Sequence, residues 1–276
     1  DLHYPLRRQR QMCIRDRPEA AVSITAGIKG NAGITVGNIV GSNILNILII
    51  LGVTALITNV AIQKTTFKYE IPYMLLITAV LLVMGMTGNE ITFIEGVILW
   101  ILFIAYLLYL YILAKKGNDS GDEQSVKLYP VWKCLLFIVL GGVCVVIGSQ
   151  LVVNGATTIA RACGMSERFI GLTIVAFGTS LPELVTSVSA ARKGNAGIAI
   201  GNIVGSNIFN ILFVIGTVAL ICPVPFESRF VIDTVVAILC GVLLWGGTIR
   251  HKELRKPCGV VMLLCYAAYF VYLAAM

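Results

Sequence analysis

Residues 18–57 and 182–221 of this chain are one segment written twice. PEAAVSITAGIKGNAGITVGNIVGSNILNILIILGVTALI aligns without a gap on PELVTSVSAARKGNAGIAIGNIVGSNIFNILFVIGTVALI, and about 25 of 40 positions are identical. An ungapped match of that quality is an internal duplication. The shared positions are not only apolar. A Pro-Glu pair, several glycines and a row of Asn and Ser recur inside otherwise hydrophobic stretches. Polar groups kept at matching places in such segments point to a site built where two halves meet.

Those stretches are long enough to span a bilayer, which needs about 20 apolar residues as a helix. The expected spans are 18–29 (short), 33–57, 69–87, 92–114, 131–160, 168–192, 196–222, 229–249 and 257–275. With 58% hydrophobic and 13% charged residues, the chain reads as an all-α membrane protein. Alternating strands of a β-barrel are missing from the pattern. The net charge of +7 would suit nucleic acid in a soluble protein, but here positive-inside bias accounts for it and no nucleic-acid partner is expected. Leaving out the N-terminal tail, about 12 Lys and Arg fall on one side, including Lys64, Lys68, Lys115, Lys116, Arg250, Lys252 and Arg255, against about 4 on the other. That puts the hydrophilic loop 115–130 in the cytoplasm of a multi-pass cell-membrane protein. The eight cysteines are scattered and read as apolar packing residues rather than metal ligands.

Four segments follow: 1–17, a basic stretch unlike the rest; 18–114, the first half; 115–130, the loop; and 131–276, the second half. The second copy begins GLTIVAFGTSLPE, whereas the first is preceded by RQMCIRDR, so Arg15 and Asp16 stand where Thr179 and Ser180 stand. Residues 1–17 are therefore expected to be foreign to the fold, replacing one helix and half of the next; the alternative is a native basic tail. Three spans separate the repeated pairs, so the second copy enters the membrane in the opposite sense. Inverted repeats of this kind place a substrate site near the midplane, at the repeat interface.

In the second copy Thr179 and Glu183 share a helix face, with Ser180 beside them. Pro182 removes a backbone donor and clashes with the carbonyl of Gly178, so the helix should break there. Freed carbonyls inside a membrane are tolerated only where they face a cavity or an ion. The next helix carries Asn202, Ser206 and Asn210 every four residues beside Gly197, Gly201 and Gly205. The first copy repeats both stripes as Asn38, Ser42, Asn46 and Gly33, Gly37, Gly41. Joined with Glu19 and Glu183, the polar stripes would form an oxygen-rich chamber with two carboxylates. Such donors suit hard cations: one divalent ion, or monovalent ions or protons competing for it. Asn and Ser also bond simply to hold membrane helices together, and Asn38 and Asn202 fit either role. An acid amid some twenty apolar residues is costly, so Glu19 and Glu183 are read as functional. Glu70, Glu95, Glu227 and Asp233 lie near span ends and are expected to be interfacial.

At GTSLPE (178–183) and GNIVGSNIFN (201–210), matched by PE (18–19) and GNIVGSNILN (37–46), the chain resembles the Ca2+/cation antiporter superfamily, specifically prokaryotic sodium/calcium exchangers. The likeness covers Pro18 to the end. It implies an inverted-repeat transporter of two five-helix halves, ten helices in all, of which the first and part of the second would be missing here. It implies exchange of cytoplasmic Ca2+ for external Na+ by alternating access, with no cofactor and one copy sufficient. By the same resemblance Glu19 and Glu183 are the central calcium carboxylates. Ser42, Ser206, Thr179 and Ser180 are hydroxyl and carbonyl ligands, and Asn46 and Asn210 line the chamber. Some members carry an acid at one of the paired Asn positions, whereas both are Asn here, which leaves proton coupling, or another divalent ion, as an alternative. Arginines at 15 and 17 beside the chamber would repel cations. A cation channel is the remote alternative, since one chain already holds both halves of a site. An enzyme is not expected, because no nucleophile–base set accompanies the acids.

Overall fold

Each copy of the repeat folds into a long rod with a widened turn at the same place. In the computed structural model the first rod runs through α1 (Gly33–Leu45), a π-turn (Asn46–Leu51) and α2 (Gly52–Ile57). A short strand β1 (Val60–Ala61), a second π-turn (Thr66–Glu70), α3 (Ile71–Gly88), β2 (Glu90–Ile91) and α4 (Phe93–Lys116) follow. In the second half a π-turn (Ile170–Val175) is followed by α5 (Ala176–Thr179) and α6 (Leu181–Arg192). Its rod is α7 (Gly197–Phe209), a π-turn (Asn210–Ile215) and α8 (Gly216–Ile221). The chain ends with β3 (Val224–Pro225), α9 (Ser228–Ile249), β4 (Glu253–Leu254) and α10 (Lys256–Ala275). The structure describes residues 20, 23, 24, 27, 28, 33–116, 147, 148, 151, 154, 155, 157–159, 161–165, 170–192 and 197–275. Most of the expected spans 131–160 and 18–29, and Arg15, Asp16, Arg17 and Glu19, lie outside them.

Six described helices are long and apolar enough to cross a membrane: Thr35–Ile57, Thr66–Gly88, Phe93–Leu113, Ala199–Ile221, Ser228–Ile249 and Lys256–Ala275. Helices satisfy their own backbone groups, which is why such runs take this form in lipid. The two rods are 83% buried, against 22–39% for the other four spans. The rods therefore form the centre and the rest form the lipid-facing shell. Val36, Ile39, Ile44, Ile203, Val204 and Ile208 are all fully buried between them.

The halves interlock reciprocally. Helix α4 packs on α8, α10 on α2, and α3 on α9. At two of these crossings glycine faces glycine. A Cβ on Gly259 of α10 would sit 2.8 Å from the carbonyl oxygen of Gly52 on α2, and one on Gly96 of α4 would sit 3.1 Å from that of Gly216 on α8. Small residues let membrane helices approach this closely, so that dispersion holds them.

Two short ribbons tie the halves together at opposite ends. Strand β1 pairs with β4, Val60 opposite Leu254, and β2 pairs with β3, Ile91 opposite Val224. The ribbons match in detail: Ile62 N–H donates to the carbonyl of Lys252 at 2.9 Å, and Phe226 N–H to that of Asn89 at 2.8 Å. Asn89 and Lys252 adopt the same left-handed conformation, φ 56° and 54°. The pairing also fixes the inversion. Strand β1 ends the first rod; β2 lies one crossing later, beyond α3, on the other face of the membrane. Because β2 pairs with β3, which ends the second rod, the two rods finish on opposite faces.

Candidate functional site

Helix α6 carries the buried acid. The helix before it stops at Thr179 and restarts at Leu181, with Ser180 at the break, two residues before Pro182. The backbone bonds Ser180 N–H to Ala176 O and Leu184 N–H to Ser180 O carry the chain across, both at 3.1 Å. Glu183 thereby falls in the first turn of α6, where the positive end of the helix dipole favours a carboxylate. It is fully buried, as are Ser180 and, within 1%, Thr179.

The rods pack on this helix and bring the repeat's polar residues against Thr179, in the turn before it. Ser42 Oγ and Thr179 Oγ1 lie 3.3 Å apart across the two halves. Thr179 Oγ1 is also within 3.4 Å of Asn38 Oδ1 and 3.2 Å of its own helix's Ala176 carbonyl; these two only accept from it, while Ser42 Oγ can donate to it in turn. Asn38 Nδ2 donates to Ser23 Oγ at 2.9 Å, and Thr35 Oγ1 to the Ser23 carbonyl at 3.2 Å. Asn38 therefore bridges the halves, its Nδ2 donating within the first and its Oδ1 accepting from Thr179 of the second. Ser42, Ser206, Asn46 and Asn210 are all fully buried. Each Asn opens a π-turn, a widening that membrane and soluble helices alike tend to keep at functional positions.

Two residues that the four-residue stripes passed over sit at the centre. Asn43 Nδ2 donates to the carbonyl of Asn207 at 3.3 Å, and Asn207 Nδ2 donates to the carbonyl of Asn43 at 3.1 Å, 164 positions apart in each direction. Asn46 Nδ2 donates to Asn207 Oδ1 at 3.0 Å, and Asn210 Nδ2 to Asn43 Oδ1 at 3.2 Å. Asn43 stands three residues before Asn46, so their side chains are neighbours on the helix, but that spacing alone does not say that Asn43 meets the other rod.

Three oxygens in this seam are buried without a hydrogen-bond donor among the described residues: Asn46 Oδ1, Asn210 Oδ1 and Ser206 Oγ. Buried oxygens left in that state demand a partner, and a cation is one that accepts several at once. Among the described residues no three His, Cys, Asp or Glu side chains cluster. The donor set is one carboxylate amid neutral amide and hydroxyl oxygens, a set that fits a hard cation held briefly rather than a resident transition metal.

The end-of-span acids divide. Glu95 closes a capping box, accepting from Thr92 N–H at 2.7 Å and Thr92 Oγ1 at 2.9 Å. Glu227 is exposed beside Arg229, 3.9 Å away. Glu70 and Asp233, expected to be interfacial, are buried instead. Position along a span sets depth but not which face a side chain takes, and both turn inward. Thr66 Oγ1 donates to Glu70 at 2.9 Å, and Tyr269 Oη to Asp233 at 3.0 Å.

Inverted halves, interlocked spans and a buried polar seam between the rods define a multi-pass membrane transporter. A sequence profile described as "Sodium/calcium exchanger protein" matches residues 16–112 and 133–275. The chain belongs to that family. It is 32% identical over 266 residues to the inner membrane protein YrbG of Escherichia coli, covering 89% of this chain and 78% of that protein. It is 32% identical to the sodium/calcium exchanger MaX1 of Methanosarcina acetivorans, over 93% of this chain and 84% of that one. The structure of the sodium-calcium exchanger NCX_Mj soaked with 10 mM Na+ and zero Ca2+ superposes with a TM-score of 0.75 at 33% identity, over 94% of this chain and 84% of the other. The chain is thus a transporter of the cell membrane, not an enzyme, and ions are its cargo.

Proposed function

We propose that this protein exchanges Ca2+ for Na+ across the cell membrane by alternating access, at a site between the two rods. The observation that carries the reading is Glu183, a fully buried acid in the first turn of a broken helix that packs on both rods, whose seam holds three undonated oxygens from both halves. Ca2+ would be held by Glu183 and its repeat equivalent Glu19, with Ser42, Ser206, Thr179 and Ser180 as hydroxyl and carbonyl ligands. Asn46 and Asn210 would supply amide oxygens. Na+ would occupy the hydroxyl and carbonyl positions when Ca2+ leaves, which keeps the two carboxylates balanced in either half-cycle. Inversion supplies the means of alternation: the same motif approaches the site from each side, so rocking one half against the other opens it to one face at a time. One copy holds both halves of the site, so the monomer is the transporting unit.

The test is uptake of radioactive Ca2+ into liposomes loaded with Na+. Uptake that requires the outward Na+ gradient is the expected result. Uptake that ignores Na+ and follows an outward proton gradient would move the coupling to protons. No uptake under either gradient from folded protein would refute Ca2+ as the cargo. Glu183→Gln keeps the shape and removes the charge; it should abolish coupled flux, and unchanged flux would remove Glu183 from the site.

A further inference from the structure

We infer that Asn43 and Asn207 are positioning residues of the exchange site, a crossed clasp that turns the amide oxygens of Asn46 and Asn210 toward the transported cation. The argument starts from two atoms whose polarity is fixed. Backbone carbonyls only accept, so Asn207 must present Nδ2 to the Asn43 carbonyl and Asn43 must present Nδ2 to the Asn207 carbonyl. Each amide's other end is then an oxygen. Asn207 Oδ1 faces Asn46, which must answer with Nδ2 (3.0 Å), and Asn43 Oδ1 faces Asn210, which must do the same (3.2 Å). The last free choice disappears: Asn46 and Asn210 are each left with a buried oxygen and no donor among the described residues. An unconstrained amide rotates as readily to offer its nitrogen, and an N–H aimed at a cation repels it.

Simple adhesion between rods does not need this wiring. Hydrogen bonds from Asn43 and Asn207 to each other's backbone would hold the rods together without engaging the outer pair. The clasp instead reaches across: Asn207, from the second half, sets the first half's Asn46, and Asn43 sets the second half's Asn210. Each ligand is oriented by the opposite repeat, so the amide oxygens are set only where the rods stay in register. Groups that orient a metal's ligands typically carry roughly 10- to 100-fold of its affinity.

The crossing makes the test specific. Ca2+ dissociation constants are read from Ca2+-dependent shifts in the unfolding temperature of the purified chain, and from Ca2+ KM in liposomes. Asn207→Ala should weaken Ca2+ by roughly 10- to 100-fold. In an Asn46→Asp background both outer atoms are oxygens and there is no orientation to set, so Asn207→Ala should then change Ca2+ affinity by less than about twofold. Asn210→Asp should not rescue Asn207→Ala but should rescue Asn43→Ala. Asn207→Ser and Asn43→Ser, which keep a hydroxyl in the seam, should show the same crossed pattern and serve where the alanine variants do not fold. Equal losses in all backgrounds, or rescue by the uncrossed partner, would reduce the clasp to packing. The inference rests on the exchange reading, and the two fail differently: no Ca2+ response from the unaltered chain sinks that reading, whereas a normal response with an uncrossed pattern sinks only the clasp.

Discussion

Ser206 is the residue where stability and function pull in opposite directions. Its Oγ is buried without a donor or acceptor among the described residues, while its repeat partner Ser42 lies 3.3 Å from Thr179. A buried hydroxyl with no partner destabilises the ion-free protein, by about 1 kcal/mol at the low end of such penalties. If that oxygen serves the cation, Ser206→Ala should raise the ion-free unfolding temperature and weaken Ca2+ roughly tenfold, the loss of one ligand contact of about 1.4 kcal/mol. Thermal unfolding with and without Ca2+ reads both signs at once. A lower ion-free midpoint with unchanged Ca2+ response would make Ser206 a packing residue. Which side chains converge was only partly legible in the sequence. The stripe Asn202, Ser206, Asn210 was readable because it follows the helical period, and Glu183 because a buried acid in a membrane has few other uses. Asn43 and Asn207 were not, since one step off a stripe puts a side chain about 100° around the helix, and only the placement of the opposite rod decides what it meets. The inward turn of Glu70 and Asp233 was hidden for the same reason.

At the scale of the element, the rods are held by close crossings rather than by hydrophobic drive, which lipid supplies on every side. The closest approach to backbone among the described residues is at Gly259: a methyl group there would sit 2.8 Å from the Gly52 carbonyl oxygen and 3.0 Å from Ala55 Cβ. Neither atom is the movable tip of a flexible side chain. Gly259→Ala should therefore force α10 away from α2 and lower stability by about 1–3 kcal/mol, seen as a reduced unfolding temperature in detergent. Gly246→Ala is the matched control, with nothing within 4 Å of its Cβ, and should not lower it. Long helices were easy to foresee from their apolar runs, and the break before Pro182 from the missing donor. The π-turns at Asn46 and Asn210 were not, because a change from four- to five-residue bonding leaves no mark on hydropathy. Gly52, Gly96, Gly216 and Gly259 were equally hidden, because they fall outside the regular glycine stripes and gain their meaning from the helix opposite.

For the whole molecule, duplication and inversion make one statement that can be checked without any ion. Asn59 and Pro223 occupy the same place in the two copies, each exposed and each just past the end of a rod. If the copies ran in parallel, both would emerge on one face. The ribbons require otherwise: β1, beside Asn59, pairs with β4 between α9 and α10, whereas β3, beside Pro223, pairs with β2 between α3 and α4. Lys64, Lys68, Arg250, Lys252 and Arg255 cluster in sequence around the first ribbon, so the positive-inside bias makes that end cytoplasmic. In a background freed of the eight native cysteines, Asn59→Cys should react with a membrane-impermeant maleimide only in inside-out vesicles. Pro223→Cys should react only in right-side-out vesicles. Labelling of both from one side would break the inverted repeat, and with it the symmetry on which the proposed alternation between the two faces of the membrane rests.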